Sequence, residues 1–220
     1  MSEEKCKCFI SSLVDRLSGK AESRCTKIID VAYRLFLDNG YENVSMNDIV
    51  KHAGGSLATL YKHFGNKEQL FIYILEQKSE EVFGEWGRKS VCYEGRIEEF
   101  LTETGRMFLD LVTTPDAILF HRLLISIGYI NDSRLNKTQI QNLMSVPVII
   151  IANYLENEKA NGHIEVEDTY LVAEQFLNAV KGPFLFQTIL GIKIDISKET
   201  RLKALKQVVT IFCRGLHVIQ

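Results

Sequence analysis

The run TKIIDVAYRLFLDNGYENVSMNDIVKHAGGSLATLYKHFGNKEQLF, from Thr26 to Phe71, constrains this chain more than any other feature. It reads as three short helices and the opening of a fourth, each with its own start signal. Ile28, Val31, Ala32, Leu35 and Phe36 fall on one helical face. Asp38, Asn39 and Gly40 end that helix, with Gly40 as a left-handed stop. Tyr41 and Val44 cross to the next element. Ser45-Met46-Asn47-Asp48 has the form of a capping box. Met46, Ile49, Val50 and Ala53 then make a second short apolar stripe, which Gly54 and Gly55 break. Ser56 caps a third helix, with Leu60, Tyr61 and Phe64 inward, and Gly65 stops it. Asn66-Lys67-Glu68-Gln69 is another capping box and opens a long helix through Leu70, Phe71, Ile74 and Leu75. The turn between the second and third helices is too tight for anything but a helix-turn-helix. That motif sets its second helix in the DNA major groove.

Paired short helices also occur as plain structure in many all-α proteins, so the outward residues decide. Thr59, Tyr61, Lys62 and His63 are all polar-tipped and sit together at one end of a helix too short to be a good core element. Hydroxyls and cations of this kind reach phosphates and base edges.

Gly40-Tyr41 before a Ser-capped helix, then Ala53-Gly54-x-Ser56-x-Ala58-Thr59-Leu60-Tyr61-x-His63-Phe64, then Asn66-Lys67-Glu68-x-Leu70, resembles the DNA-binding domain of TetR-type one-component transcriptional regulators. The resemblance implies an all-α protein of two parts. An N-terminal three-helix helix-turn-helix domain binds DNA, and a larger helical domain behind it holds a ligand and the dimer contact. It also implies a palindromic or pseudo-palindromic double-stranded operator. The DNA-binding candidates are Ser45, Ser56, Leu57, Ala58, Thr59, Tyr61, Lys62, His63 and Lys67. Leu57, Ala58 and Thr59 stand at the helix start that meets base edges. Lys67 opens the next helix, where its cation and the free backbone N–H groups face a phosphate. Two departures from the family pattern bear on the operator sequence and leave the fold alone. Gly55 stands where a small aliphatic residue is usual. Leu57 stands where a basic or polar one is usual, which suits contact with a thymine methyl.

Composition agrees with a soluble, cytoplasmic protein. At 220 residues the chain can bury a full core and hold one small and one larger domain. It has no run of about 18 apolar residues, so no membrane span is expected. Glu3, Glu4, Lys5 and Lys7 before a weak apolar patch do not make a secretory signal. The five cysteines are odd in number and scattered. Cys6-x-Cys8 is too close for ordinary zinc spacing and no His/Cys cluster follows. Reduced thiols are the plain reading, with redox or metal sensing as the alternative; no cofactor or metal is expected. The net charge of −2 divides unevenly: residues 1–67 carry ten Lys/Arg against eight Asp/Glu, the remainder sixteen against twenty. Binding to DNA then depends on local focusing by Lys62, Lys67 and helix N-termini rather than on a broad basic face.

The expected division is an extension over residues 1–20, a DNA-binding domain over 21–67 with its motif at about 45–64, and a regulatory and dimerisation domain over 68–220. Phe9, Ile10, Leu13, Val14 and Leu17 in the extension fit either a partly ordered tail or an arm that supports the first helix or touches DNA through Lys5, Lys7 and Lys20. Past Phe71 the pattern stays helical, for about nine helices in all. The fourth ends near Trp86 at Gly87, and a fifth covers Ile97 to Val112 with Phe100, Met107, Phe108 and Leu111 inward. Thr114-Pro115 starts a sixth. A seventh, from Asn136 to Asn157, breaks or bends near Pro147. An eighth, from Val166 to Leu190, is interrupted at Gly182-Pro183, and Ser197 caps a ninth that runs to about Val218.

That last helix carries its own signal. Leu202, Leu205, Val209, Phe212, Leu216 and Ile219 recur at spacings of 3, 4, 3, 4 and 3, a heptad seam. A second row, Ala204, Val208 and Ile211, widens the apolar face. A helix apolar over so much of its girth must be buried on more than one side. It is either a central core helix or a dimer interface built with the eighth helix. The family resemblance favours the interface, with Leu202, Leu205, Val209, Phe212 and Leu216 as its residues, and so a homodimer.

The family resemblance also places an unknown small-molecule effector among the middle helices, in a mostly apolar pocket with a few polar anchors. The candidates are Phe108, Phe120, His121, Leu124, Met144 and Phe176. His121 and Arg122 stand out within an otherwise apolar helix. The expected function is that of a homodimeric repressor released from its operator by a largely apolar ligand. Two rival classes fit less well. An enzyme would need paired carboxylates, a Ser/His/Asp or Cys/His set, HExxH or a phosphate loop, and none is present. A helical scaffold without DNA binding would explain the heptad seam, but not the polar cluster on a short capped helix.

Overall fold

The structure is a computed structural model. It describes residues 20–91, 93, 95–129 and 137–216, the side chains at 20–24, 91, 128, 129 and 139 excepted. Residues 1–19 of the expected N-terminal extension, Ile219, and the Cys6, Cys8 and Cys92 thiols lie outside the described residues, and Lys20 opens the first helix. Among the described residues there are ten helices and no strand: α1 (Lys20–Asn39), α2 (Met46–Ala53), α3 (Leu57–Phe64), α4 (Lys67–Val91), α5 (Ile97–Val112), α6 (Pro115–Tyr129), α7 (Lys137–Met144), α8 (Val146–Ala160), α9 (Thr169–Ile189) and α10 (Lys198–Gly215).

The described residues form two compact units, one up to Gly84 and the other from Glu85 onward. The division falls inside α4, further along than the boundary expected after residue 67. Leu70, Phe71, Ile74 and Leu75 of α4 are buried in the first unit and belong to its core. There Phe36, Tyr41 and Phe71 pack as a three-ring cluster with centroids 5.0–5.5 Å apart. Each buried ring carries a large apolar area into the core of this unit. The Tyr41 hydroxyl pKa is pushed up to about 12, first by burial and then by Glu42 and Glu68.

In the second unit, α5 buries Ile97, Phe100, Leu101, Thr104, Gly105, Phe108, Leu109 and Val112 along one face. Met107, expected inward, is exposed. The Tyr154 ring of α8 stacks on Phe100 at 3.6 Å, and its hydroxyl donates to the Gly95 carbonyl at 3.1 Å. Phe176 of α9 lies edge-on to Phe212 of α10 at 5.3 Å.

Two expected breaks, at Gly87 and Pro183, are overridden by packing, and the expected break or bend near Pro147 is a full break. Gly87 does not end α4: it is buried, a Cβ added there would lie 3.6 Å from the Ile150 side chain, and the helix continues to Val91. The break near Pro147 is complete, at Ser145, and gives two helices where one was expected, with Pro147 seated in the first turn of α8. Pro183 does not interrupt α9. It lies on an exposed face, while Val180, Phe184 and Leu185 are buried on either side. Their packing offsets the missing backbone bond, a cost of about 3 kcal/mol in a helix interior.

Candidate nucleic-acid interface and effector unit

The helix-turn-helix is built from its caps. The Ser45 hydroxyl accepts from the Asp48 N–H at 3.1 Å, and the Asp48 carboxylate accepts from the Ser45 N–H at 3.1 Å, a reciprocal capping box. Those bonds and the nearby Lys51 hold the Asp48 pKa below its ordinary value. The Ser56 hydroxyl accepts from the Thr59 N–H at 3.1 Å and shares a hydrogen bond with the Thr59 hydroxyl at 2.8 Å. Gly54 and Gly55 join the two helices with φ of 81° and 103°, a pair of left-handed residues in succession. A side chain at either position would be strained, which accounts for the double glycine. The resulting turn places α3 with Leu60 and Phe64 buried, and Leu57, Ala58, Thr59, Tyr61, Lys62 and His63 exposed.

Most of the expected contact residues therefore share one solvent face. Tyr61, read from sequence as both inward and outward, is outward. Ser45 and Ser56 are exposed, but their hydroxyls are engaged as caps. Lys67 is the exception. Its ammonium donates to the Tyr41 carbonyl at 3.0 Å and lies 4.2 Å from the centre of the Tyr41 ring. It is folded back onto the first unit's core. Lys51 and His52, in the last turn of α2, are exposed and carry no signal in the sequence that marks them as contacts. No periodic pattern singles them out, and only the helix-turn-helix geometry brings them near α3.

In the second unit the expected effector residues are dispersed. Phe108 and Phe176 are buried; Phe120, His121 and Leu124 of α6 are half-buried; Met144 is exposed. Arg122 caps the end of α9, its Nε donating to the Ile189 carbonyl at 2.9 Å and a terminal nitrogen to the Thr188 carbonyl at 3.3 Å. The His121 ring holds its Nδ1 2.6 Å from the Ala117 carbonyl. Burial, and then the charge of Lys181 on α9, lower the His121 pKa. Burial also lowers that of Lys181. An open groove of about 240 Å³ runs between α5 and α10, lined by Thr102, Leu202, Leu205, Lys206 and Val209.

The seam of α10 turns inward. Leu205, at 1% exposure, and Val209 and Leu216 are buried in the chain's own core, and Phe212 is half-buried against Phe176. Of the five residues assigned to a dimer contact, Leu202 alone is exposed. The second row is the one left open: Ala204 and Val208 are half-buried, and Ile211 is 58% exposed. On α9, Leu171 and Phe186 are exposed, Phe186 to 65%.

A capped helix-turn-helix ahead of a larger helical unit defines a DNA-binding transcriptional regulator. Residues 28–74 match the family described as bacterial regulatory proteins, tetR family. Residues 99–215 match the C-terminal domain of AefR-like transcriptional repressors. The chain belongs to the TetR family of bacterial regulatory proteins, whose members are regulators and not enzymes. It is 28% identical over 196 residues to the transcriptional regulator QacR of Staphylococcus aureus, covering 86% of this chain and 96% of that protein. Among solved structures, the flavonoid-responsive regulator FrrA superposes with a TM-score of 0.70 at 24% identity, covering 88% of this chain and 97% of that one. FadR of Bacillus subtilis in complex with stearoyl-CoA gives 0.68 at 20% identity, covering 87% and 99%. Among the described residues no helix is long and apolar enough to cross a membrane, and no group of three His, Cys, Asp or Glu is placed to hold a metal ion.

Proposed function

We propose that the protein is a cytoplasmic homodimeric repressor that binds a two-fold-related operator through α3 and leaves it when a small, largely apolar ligand occupies the second unit. The observation that carries the DNA reading is the solvent face of α3. Six positions, Leu57, Ala58, Thr59, Tyr61, Lys62 and His63, are exposed on a helix held at both ends by caps. Lys51 and His52 extend that face as phosphate contacts. The dimer contact uses the row Ala204, Val208 and Ile211 of α10 with Leu171 and Phe186 of α9, because the exposed Ile211, Leu171 and Phe186 favour a partner surface that also covers the half-buried Ala204 and Val208. The names of FrrA and FadR, one flavonoid-responsive and the other bound to stearoyl-CoA, support an apolar effector. Operator selection from genomic fragments, followed by footprinting, tests the reading. The expected outcome is a protected site with two related half-sites on consecutive helical turns. Protection of one asymmetric site by a single chain would refute it.

A further inference from the structure

α2 and α3 open on the same kind of serine cap and close it differently. At α2 the Ser45 hydroxyl accepts from the Asp48 N–H at 3.1 Å and donates to the Asp48 carboxylate at 2.5 Å. A carboxylate only accepts, so the Ser45 proton is spent inside the cap and none is left over. At α3 the equivalent partner of Ser56 is Thr59, whose oxygen accepts but also carries a proton of its own. The Ser56 hydroxyl accepts from the Thr59 N–H at 3.1 Å, and the two hydroxyl oxygens lie 2.8 Å apart. Two O–H groups share that one bond, so one proton is unspent. Its owner follows from the order of the bonds. A hydroxyl that accepts a hydrogen bond becomes the stronger donor. Ser56 already accepts the Thr59 N–H, which favours its O–H as the donor to Thr59 Oγ1 and leaves the Thr59 O–H over. In the reverse order Ser56 would accept twice and the Thr59 oxygen not at all. Both residues are exposed, and the Thr59 hydroxyl makes no other hydrogen bond among the described residues.

We propose that Ser56 is a positioning residue for base readout. It leaves the Thr59 hydroxyl as a donor to DNA, and that donor selects a base edge presenting an acceptor in the major groove. The acceptor is a purine N7, the guanine O6 or the thymine O4, as against the cytosine N4 or adenine N6 donor. Ser56 acts through Thr59 and makes no base contact itself. The capping serine of α2 has no such use, because its proton ends on Asp48. This rests on the reading of α3 as the helix that meets the operator, and adds to it the polarity of one contact.

The test titrates the full chain, in competition, against its selected operator and a set of duplexes in which each base pair of the half-sites is changed in turn. Thr59→Val keeps the shape and removes the hydroxyl. It should bring the preference at one base-pair position from about tenfold to within twofold and leave the other positions as they were. Ser56→Asp separates the cap from the donor. Aspartate caps a helix about as well as serine does, so the melting midpoint of the first unit should hold. Its carboxylate only accepts, so it takes the Thr59 proton, and the preference at that same position should vanish. The added negative charge weakens every sequence alike and cancels in the ratio. Ser56→Thr keeps an O–H and should keep the preference. A Ser56→Asp protein with the wild-type preference overturns the role of Ser56. A Thr59→Val protein that loses affinity equally for every sequence assigns the hydroxyl to a phosphate and overturns base readout, as does one with no change at all. A wild type that favours no sequence over any other overturns the operator reading and this one with it.

Discussion

Gly105 lies where α5 meets both α9 and α10. A Cβ built on it falls 2.4 Å from Leu205 Cδ1 and 3.2 Å from Phe176 Cζ, and both of those side chains are buried. Gly105→Ala should therefore cost about 1–3 kcal/mol as overpacking, read as a lower urea midpoint of the second unit. Adding Leu205→Ala opens the space that the new methyl needs. The double variant should then lose less than the two single losses together, whereas strict additivity would show that Gly105 and Leu205 do not press on each other. Asp48 offers a pH test at the same scale. Its folded pKa is depressed, chiefly by the Ser45 hydrogen bonds and then by Lys51. The stability it contributes is thus present above the unfolded carboxylate value and is lost as pH falls through the folded one. Asp48→Asn should flatten the first unit's melting profile as pH falls below the ordinary carboxylate value of about 3.9, and an unchanged slope there would remove Asp48 from the cap's energetics. Lys67 behaves differently from a phosphate ligand, because its ammonium is bound to Tyr41. Lys67→Met should lower the stability of the first unit by about 1 kcal/mol, since it removes both the hydrogen bond and the cation–π interaction.

At the scale of the helix, α3 makes the sharpest statement. Lys62→Ala should weaken operator and random DNA about equally and lower the salt slope by roughly one unit. Changing Thr59 or Leu57 should instead alter which base is preferred, by about 1–3 kcal/mol for each specific base interaction removed. Competition titrations against operator variants at two salt concentrations distinguish the two effects, and a Lys62 variant with altered base preference would exchange the roles. The helix starts legible in the sequence are those fixed by chemistry a few residues long. Ser45, Ser56, Thr114 and Ser197 cap the helices they are expected to cap. Asp168 caps α9 without having been legible as its cap, since the apolar pattern already begins at Val166. Gly87 and Pro183 mislead for the opposite reason. Locally they are breakers, and only tertiary packing against Ile150 or around Phe184 overrides them.

For the whole molecule, the two apolar rows of α10 decide what a mutation reports. The heptad spacing of Leu202, Leu205, Val209, Phe212 and Leu216 is a pattern that both a coiled-coil contact and an internal helix satisfy, so periodicity does not separate them. Burial does: Leu205 is 1% exposed and Ile211 58%. Leu205→Asp would place a charge inside the chain's own core, with no partner, and should unfold the second unit. Ile211→Asp lies on the open row and should yield a monomer that keeps its helical signal and its melting midpoint. If the dimer sets the spacing of two α3 helices on two half-sites, that monomer should also lose operator affinity far more than affinity for random DNA. Coupling follows from the same arrangement. A ligand that prefers the conformer with mis-spaced heads weakens DNA binding, and DNA must weaken ligand binding by the same factor, with couplings of about 1–3 kcal/mol. In Ile211→Asp that reciprocity should vanish while the ligand still binds the single chain, because no second head remains to be mis-spaced. Sedimentation equilibrium together with ligand titration, with and without operator, reads both quantities. An Ile211→Asp protein that remains dimeric would move the interface off the open row of α10, and a monomer that still couples ligand to DNA would place the switch within one chain.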